Sequence, residues 1–150
     1  MKYSLIPAFI TLLCISQSPS QQQHSKVNQY VACTVTAKDK KVNAGGATSL
    51  LFTLTPQKGI HVNFTPPMKV TFDSASVAAV AGEPSVTKRD TLVDTSHPIV
   101  QPITLAATAP AGTAVVRGTL TYFYCSDKEG WCSRFQQPFE VKIPVVKKGG

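Results

Sequence analysis

The stretch that decides the fold is LTYFYCSDKEGWC, residues 120–132. It opens with a run of aromatic and β-branched residues, the composition typical of a β-strand. A polar segment containing Gly130 follows, and a second cysteine ends the stretch. This order predicts a β-hairpin whose two strands carry Cys125 and Cys132.

The spacing of the two cysteines suits a bond across that hairpin. If residues 127–130 form a four-residue loop, Ser126 faces Trp131 and Cys125 faces Cys132. Directly opposed residues have Cα atoms about 4.5 Å apart, at the short end of what a disulfide tolerates. The closed ring is small, so the bond would add only about 2.5 kcal/mol of stability in the chain-entropy model. Two interpretations stay open: a working redox centre, or a passive staple.

Aromatic side chains crowd around this cysteine pair. Alternation along the strands predicts that two or three of them lie outside the core, beside the sulfurs. They would then form a hydrophobic rim that shields the sulfurs or docks a partner, although plain core packing is the competing interpretation. The residues that we predict to dock a partner are Tyr122, Tyr124, Trp131 and Phe135.

Outward from the hairpin, almost every segment has the pattern of a β-strand. Turn residues recur about every 8–12 positions, and no amphipathic helix pattern lasts three turns. The stretch from Ser74 to His97 is less regular and predicts a loop-rich connection with short strands. Pro102 predicts an edge strand or a bulged strand, and Pro144 predicts an edge position for the last strand. We therefore predict an all-β fold, an immunoglobulin-like antiparallel β-sandwich, with strands near residues 30–37, 48–55, 60–64, 68–72, 99–108, 114–124 and 139–146.

The N-terminal segment of the chain indicates export. Residues 1–20 have a basic start, an apolar run and small residues, which predicts a cleaved signal peptide. Leu13 is larger than the small residue that lipoprotein processing requires, so lipid attachment at Cys14 is not expected. Residues 21–28 are predicted to be a disordered segment, and residues 29–147 the single folded domain. The expected location is the periplasm or the medium, with no direct membrane span.

Loss of the signal peptide would leave an odd number of cysteines. Cys33 lies in a strand-like run, where an unpaired cysteine usually acts as a small buried hydrophobe. A bond to another molecule, or an exchange with the hairpin pair, is the alternative.

Charge and histidine spacing exclude several classes of function. The net charge is +7, but the basic residues are scattered and not interleaved with aromatics, so no nucleic-acid partner is predicted. A solvated surface that favours acidic partners is the simpler interpretation. His24, His61 and His97 do not group with cysteines at metal-ligand spacing, so neither a metal nor another cofactor is expected.

Several short motifs together suggest a family. They are Gly45-Gly46, Gly59-Ile-His61 with Asn63 and Pro66-Pro67, Ala109-Pro-Ala-Gly112, Arg117-Gly-Thr-Leu-Thr-Tyr122 leading to Cys125, then Cys132 and the last strand. In this pattern, which covers about Val31 to Val146, the chain resembles the N-terminal periplasmic domain of the thiol:disulfide interchange protein DsbD and related disulfide corrector domains. It departs from them at Ser133 and Arg134, where the family commonly has prolines, and in a loop one residue longer.

The resemblance implies an immunoglobulin-like fold and a specific activity. By position, Cys125 and Cys132 would be the redox-active pair that accepts electrons and passes them to other disulfide proteins. The expected partners are thioredoxin-like or membrane thiol-redox proteins acting in trans, since the chain carries no electron conduit of its own. The alternative is a non-enzymatic binding or accessory module in which the disulfide only stiffens the hairpin.

Overall fold

The computed structural model describes residues 27–147, and this part of the chain contains strands and no helix. The predicted signal peptide, Cys14 and residues 21–26 lie outside the described residues. The strands are β1 Val31–Ala37, β2 Val42–Asn43, β3 Ala47–Pro56, β4 Ile60–Val62, β5 Lys69–Phe72, β6 Ala78–Val80, β7 Lys88–Arg89, β8 Leu92–Val93, β9 Ile99–Leu105, β10 Gly112–Ser126 and β11 Trp131–Val146.

Two sheets pack face to face. One has the strand order β1-β3-β9-β6, and the other has the order β2-β11-β10-β4 with β5 also paired to β10. Strands β7 and β8 form a separate two-stranded ribbon. Every pairing is antiparallel except that of β2 with β11. The all-β, immunoglobulin-like sandwich predicted from the sequence is confirmed.

The core lies between the two sheets and follows the alternation of the strands. On β10, for example, Ala114, Val116, Leu120 and Tyr122 are buried on one face. The rings of Phe52 on β3 and Phe139 on β11 meet edge to face across the interior, with centroids 5.0 Å apart. Burial of this apolar surface is the main source of stability for such a sandwich.

The two prolines within predicted strands occupy different positions in the sheets. Pro102 lies on β9, which has β3 on one side and β6 on the other, so the predicted edge position is wrong. The N and O atoms of one strand residue point the same way, and the Pro102 carbonyl accepts a bond from Ala81, just beyond the end of β6. The proline lacks its N–H at the point where the pairing of β9 with β6 ends, so no hydrogen bond between these two strands is lost. Pro144 lies on β11, whose outer neighbour among the described residues is only the two-residue β2.

The first described residues are anchored beside the hairpin strand β10. Asn28, which the sequence assigned to the preceding segment, is buried, and its side-chain amide donates a 2.9 Å hydrogen bond to the Tyr122 hydroxyl. Its side-chain oxygen accepts from the backbone N–H groups of Tyr30 and Val31. The chain is thus anchored to β10 before β1 starts.

Gly118 on β10 provides a test of the packing between β5 and β11. A Cβ atom at this position would lie 2.3 Å from the backbone oxygen of Thr71 and 2.8 Å from the Phe139 ring. We expect Gly118→Ala to lower the free energy of unfolding by about 1–3 kcal/mol, because backbone and ring must both shift. Urea denaturation measures the change. Thr113→Ala, at an exposed position of the same strand, is the control, and equal stability of the two variants would contradict this packing.

Candidate functional site at the hairpin disulfide

Cys125 and Cys132 form a disulfide across the β10–β11 hairpin, with Cα atoms 4.0 Å apart. The register pairs Cys125 with Cys132 and Ser126 with Trp131, as the sequence predicts. Gly130 closes the loop with a φ of 68°, a conformation that glycine adopts without strain. The Ser126 carbonyl accepts a hydrogen bond from the Gly130 N–H and secures the turn.

The disulfide lies on the outer face of its sheet. Residues directly opposed in a sheet share a face, and Cys125 is opposed to Cys132 on β11 and to His61 on β4. The neighbouring residues Tyr124 and Ser126 point the other way, toward the sandwich interior. The bond is therefore separated from the hydrophobic core by the sheet itself.

The two sulfur-bearing residues differ in exposure. Cys132 is exposed, whereas Cys125 is only 7% exposed. The side-chain amide of Asn63 donates a hydrogen bond of 3.0 Å to the Cys125 sulfur. Asn63 is held in place by two neighbours, since its N–H bonds the Phe123 carbonyl and its backbone bridges to Leu92. Cys132 is therefore open to solvent, whereas Cys125 is enclosed and its sulfur accepts a hydrogen bond.

A pocket of about 370 Å³ adjoins the enclosed end. Cys125, His61 and Asn63 line one part of it, and Lys88 and Thr91 from the β7–β8 ribbon line another. The Lys88 ammonium sits 5.2 Å from the centre of the Phe64 ring. Lys88 brings a positive charge to the lining, and no acidic residue in the described part of the chain lines the pocket.

His61 adds a titratable group beside the hairpin loop. Its Nδ1 atom lies 3.1 Å from Oδ1 of Asp127, within ion-pair distance but without the alignment of a hydrogen bond. The histidine side chain is largely covered, whereas that of Asp127 is 74% exposed. The Asp127 N–H also donates a 3.2 Å hydrogen bond to the Gly59 carbonyl, which ties the hairpin loop to the turn before β4.

The predicted docking residues occupy the face opposite the disulfide, which corrects the expected rim around the sulfurs. Tyr122 and Tyr124 are buried in the core, and Trp131 and Phe135 are half-buried on the same inner face. The two-residue period requires this, because odd and even positions on β10 face opposite ways. The rings of Tyr30 and Trp131 pack in a tilted arrangement with centroids 5.0 Å apart, so they close the end of the core.

Cys33 is the free cysteine among residues 27–147, and it is half-buried against the core. Burial raises the pKa of its thiol to about 11. The interpretation of Cys33 as a small buried hydrophobe agrees with this position. Burial likewise raises the pKa of the neighbouring Tyr122 hydroxyl, and the Asn28 amide partly opposes that effect.

Sequence reasoning missed several residues around the disulfide. His61 and Asn63 lay within the motifs that carried the family resemblance, but no role was assigned to them. Half-buried Phe123 shares the face of Cys125, and counting by twos from that cysteine would have found it. Lys88 reaches the site through a short ribbon in an irregular segment, and nothing in its local sequence signals this.

Neither a metal site nor a membrane span is evident within residues 27–147. There, no three His, Cys, Asp or Glu side chains are placed to hold a metal ion. Over the same range, the chain has no helix with the length and apolarity needed to cross a bilayer.

Comparisons with known proteins give little beyond this. No protein-family model matches the chain, and no curated protein matches it. Among solved structures, it is similar to AggA, the major subunit of aggregative adherence fimbriae type I from Escherichia coli. That match has 13% identity and a TM-score of 0.36, and it covers 82% of this chain and 99% of AggA. Similarity at this level supports no functional inference.

The raised thiol pKa predicts the reactivity of Cys33. The thiolate is the nucleophile, so at pH 8 the folded protein should alkylate at Cys33 roughly a hundredfold more slowly than the urea-unfolded chain. Between pH 8 and 10 the folded rate should keep rising, because the thiolate fraction still increases toward a pKa of about 11. Iodoacetamide labelling followed by peptide mass spectrometry measures both rates. Equal rates in the folded and unfolded chains would contradict this burial.

Proposed function

We propose that this immunoglobulin-like module exchanges electrons with other thiol proteins through Cys125 and Cys132. The observation that carries the proposal is the asymmetry of the bond, with Cys132 open to solvent and Cys125 enclosed beside a hydrogen-bond donor. A disulfide sulfur must be reachable for a thiolate to attack it. The activity is the one that the resemblance to the DsbD N-terminal domain implies.

The exposure of Cys132 supports it as the sulfur that is attacked first. A partner thiolate attacks its sulfur in line with the S–S bond, because the Cys125 sulfur is covered by Asn63 and its surroundings. A new bond forms between the partner sulfur and Cys132, and the bond between Cys132 and Cys125 breaks. The electron pair of the broken bond leaves on Cys125 as a thiolate.

The surroundings of Cys125 suit a leaving group. A thiolate accepts hydrogen bonds far better than a disulfide sulfur, so the bond from Asn63 strengthens as charge develops. The positive charge of Lys88, which lines the adjoining pocket, acts in the same direction, and the Asp127 carboxylate beside His61 acts against it. A lower pKa of the leaving thiol speeds exchange.

A second thiolate of the partner completes the transfer. It attacks the partner's own sulfur in the mixed disulfide and releases Cys132, so that two electrons and two protons have passed to the hairpin pair. The reverse sequence would reduce another disulfide protein. Thioredoxin-like or membrane thiol-redox proteins of the periplasm are the partners that fit this chemistry.

The second candidate function is a non-enzymatic accessory or binding module with a structural disulfide. The aromatic packing favours it, since Tyr30, Tyr124 and Trp131 contact one another just beneath the hairpin. A staple of about 2.5 kcal/mol would then serve to keep this end of the sandwich closed.

Single-cysteine variants test the assignment of the attacked sulfur. Cys125→Ser leaves an exposed thiol and Cys132→Ser an enclosed one. We expect the Cys125→Ser variant to react with an aromatic disulfide reagent at least about tenfold faster, as followed by absorbance, because access limits the other thiol. Cys33 is common to both variants and supplies the same slow background. A faster Cys132→Ser variant would reverse the assignment.

The reduction potential of the wild-type pair separates the two candidate functions. Equilibration in glutathione buffers should give a value above about −300 mV if the bond exchanges electrons. A value well below that marks a structural staple and favours the accessory module.

Asn63→Ala tests the role of the hydrogen bond to sulfur. A hydrogen bond to a charged group contributes about 1.5 kcal/mol or more, so its loss should slow reduction of the disulfide by dithiothreitol about tenfold. The variant should also raise the pKa of the Cys125 thiol, measured in Cys132→Ser backgrounds. Asn43→Ala, at an exposed asparagine far from the hairpin, is the control. Unchanged rates in Asn63→Ala would remove Asn63 from the mechanism.

A further inference from the structure

Four exposed lysines lie together at one end of the sandwich. Lys38, Lys40 and Lys41 are exposed in the connection between β1 and β2, and Lys147 is exposed directly after β11. The parallel pairing of β2 with the last residues of β11 brings these two segments together. We call this set of four lysines the basic end.

Little negative charge offsets the basic end. Four connections meet there: residues 38–41, 43–46, 73–77 and 106–111. The last one touches two of the others, since the Gly45 N–H bonds the Ala106 carbonyl and the Ala106 N–H bonds the Val77 carbonyl. Asp39 and Asp73 are the acidic residues in these connections, and the Asp39 carboxylate accepts a 2.6 Å hydrogen bond from the Thr48 hydroxyl. The rest are small or polar residues that leave the lysines prominent.

The opposite end, which carries the hairpin loop, is mixed in charge. Asp127 and Glu129 flank Lys128 in the loop, and Lys58 lies in the neighbouring turn between β3 and β4. Asp94 also lies on this side, where hydrogen bonds from Ser96 and the nearby Arg89 lower the pKa of its carboxyl. The hairpin end therefore carries charges of both signs, whereas lysines predominate at the basic end.

We propose that the basic end is an electrostatic docking surface for an anionic lipid bilayer, with the hairpin disulfide directed away from it. This inference is independent of the redox function. Exposed lysines are compact, mobile charges that suit the diffuse field of a charged membrane, and each adds attraction close to the surface. Nucleic acid is disfavoured, since no aromatic side chain lies among these lysines to stack on bases.

Vesicle binding of the full chain tests the proposal. Wild-type protein should bind vesicles containing phosphatidylglycerol more strongly than pure phosphatidylcholine vesicles, and high salt should remove the difference. Lys40→Glu/Lys41→Glu should lower the partition coefficient at least about tenfold. All variants share the same N-terminal segment, so the difference between them reports on the lysines alone.

A matched variant controls for net charge. Lys58→Glu/Lys128→Glu makes the same change in charge at the hairpin end, and it should reduce binding less than about twofold. An equal loss in both double variants would show that net charge alone drives binding and would overturn the proposed surface. Absence of binding to anionic vesicles, or tighter binding to a DNA duplex through the same lysines, would overturn it as well. Circular dichroism checks that both variants are folded.

Discussion

The two-residue period of the β10–β11 ladder is the constraint on which the rest of the molecule depends. The two strands pair along all 15 residues of β10, so the direction of one side chain determines the direction of every other. Leu120, Tyr122 and Tyr124 point inward and build the core at the hairpin. The cysteines, at the alternate positions, must then point outward.

This separation of faces gives the disulfide and the aromatic cluster different roles. The rings join the two sheets through contacts such as Tyr30 with Trp131 and make the hairpin end rigid. The disulfide lies on a stiff platform on the other side, where its contacts come from β4 and the β7–β8 ribbon. Changes around the sulfurs can thus alter their chemistry with little effect on the core, because the sheet lies between them.

The sequence predicted the fold and the hairpin well but the surroundings of the site poorly. Alternation, glycines and turn residues are local signals, and they sufficed for the strands and for the pairing of Cys125 with Cys132. The start of β11 was harder to predict: the strand begins at Trp131, but half of its first eight residues are polar. The positions of Asn63 and Lys88 beside the sulfur depend on long-range packing, which no local pattern encodes. The error over Tyr122 and Tyr124 arose because nearness in sequence was taken for nearness on one face.

The bond between Asn28 and Tyr122 has a consequence for how the domain can be joined to anything else. It places the start of the described chain beside the hairpin, whereas Lys147, after β11, lies at the opposite end of the sandwich. A fluorophore or affinity tag attached after Lys147 would lie away from the disulfide, at the opposite end of the sandwich. In a tandem array, the lysine-rich end of one copy would be followed along the chain by the hairpin end of the next copy.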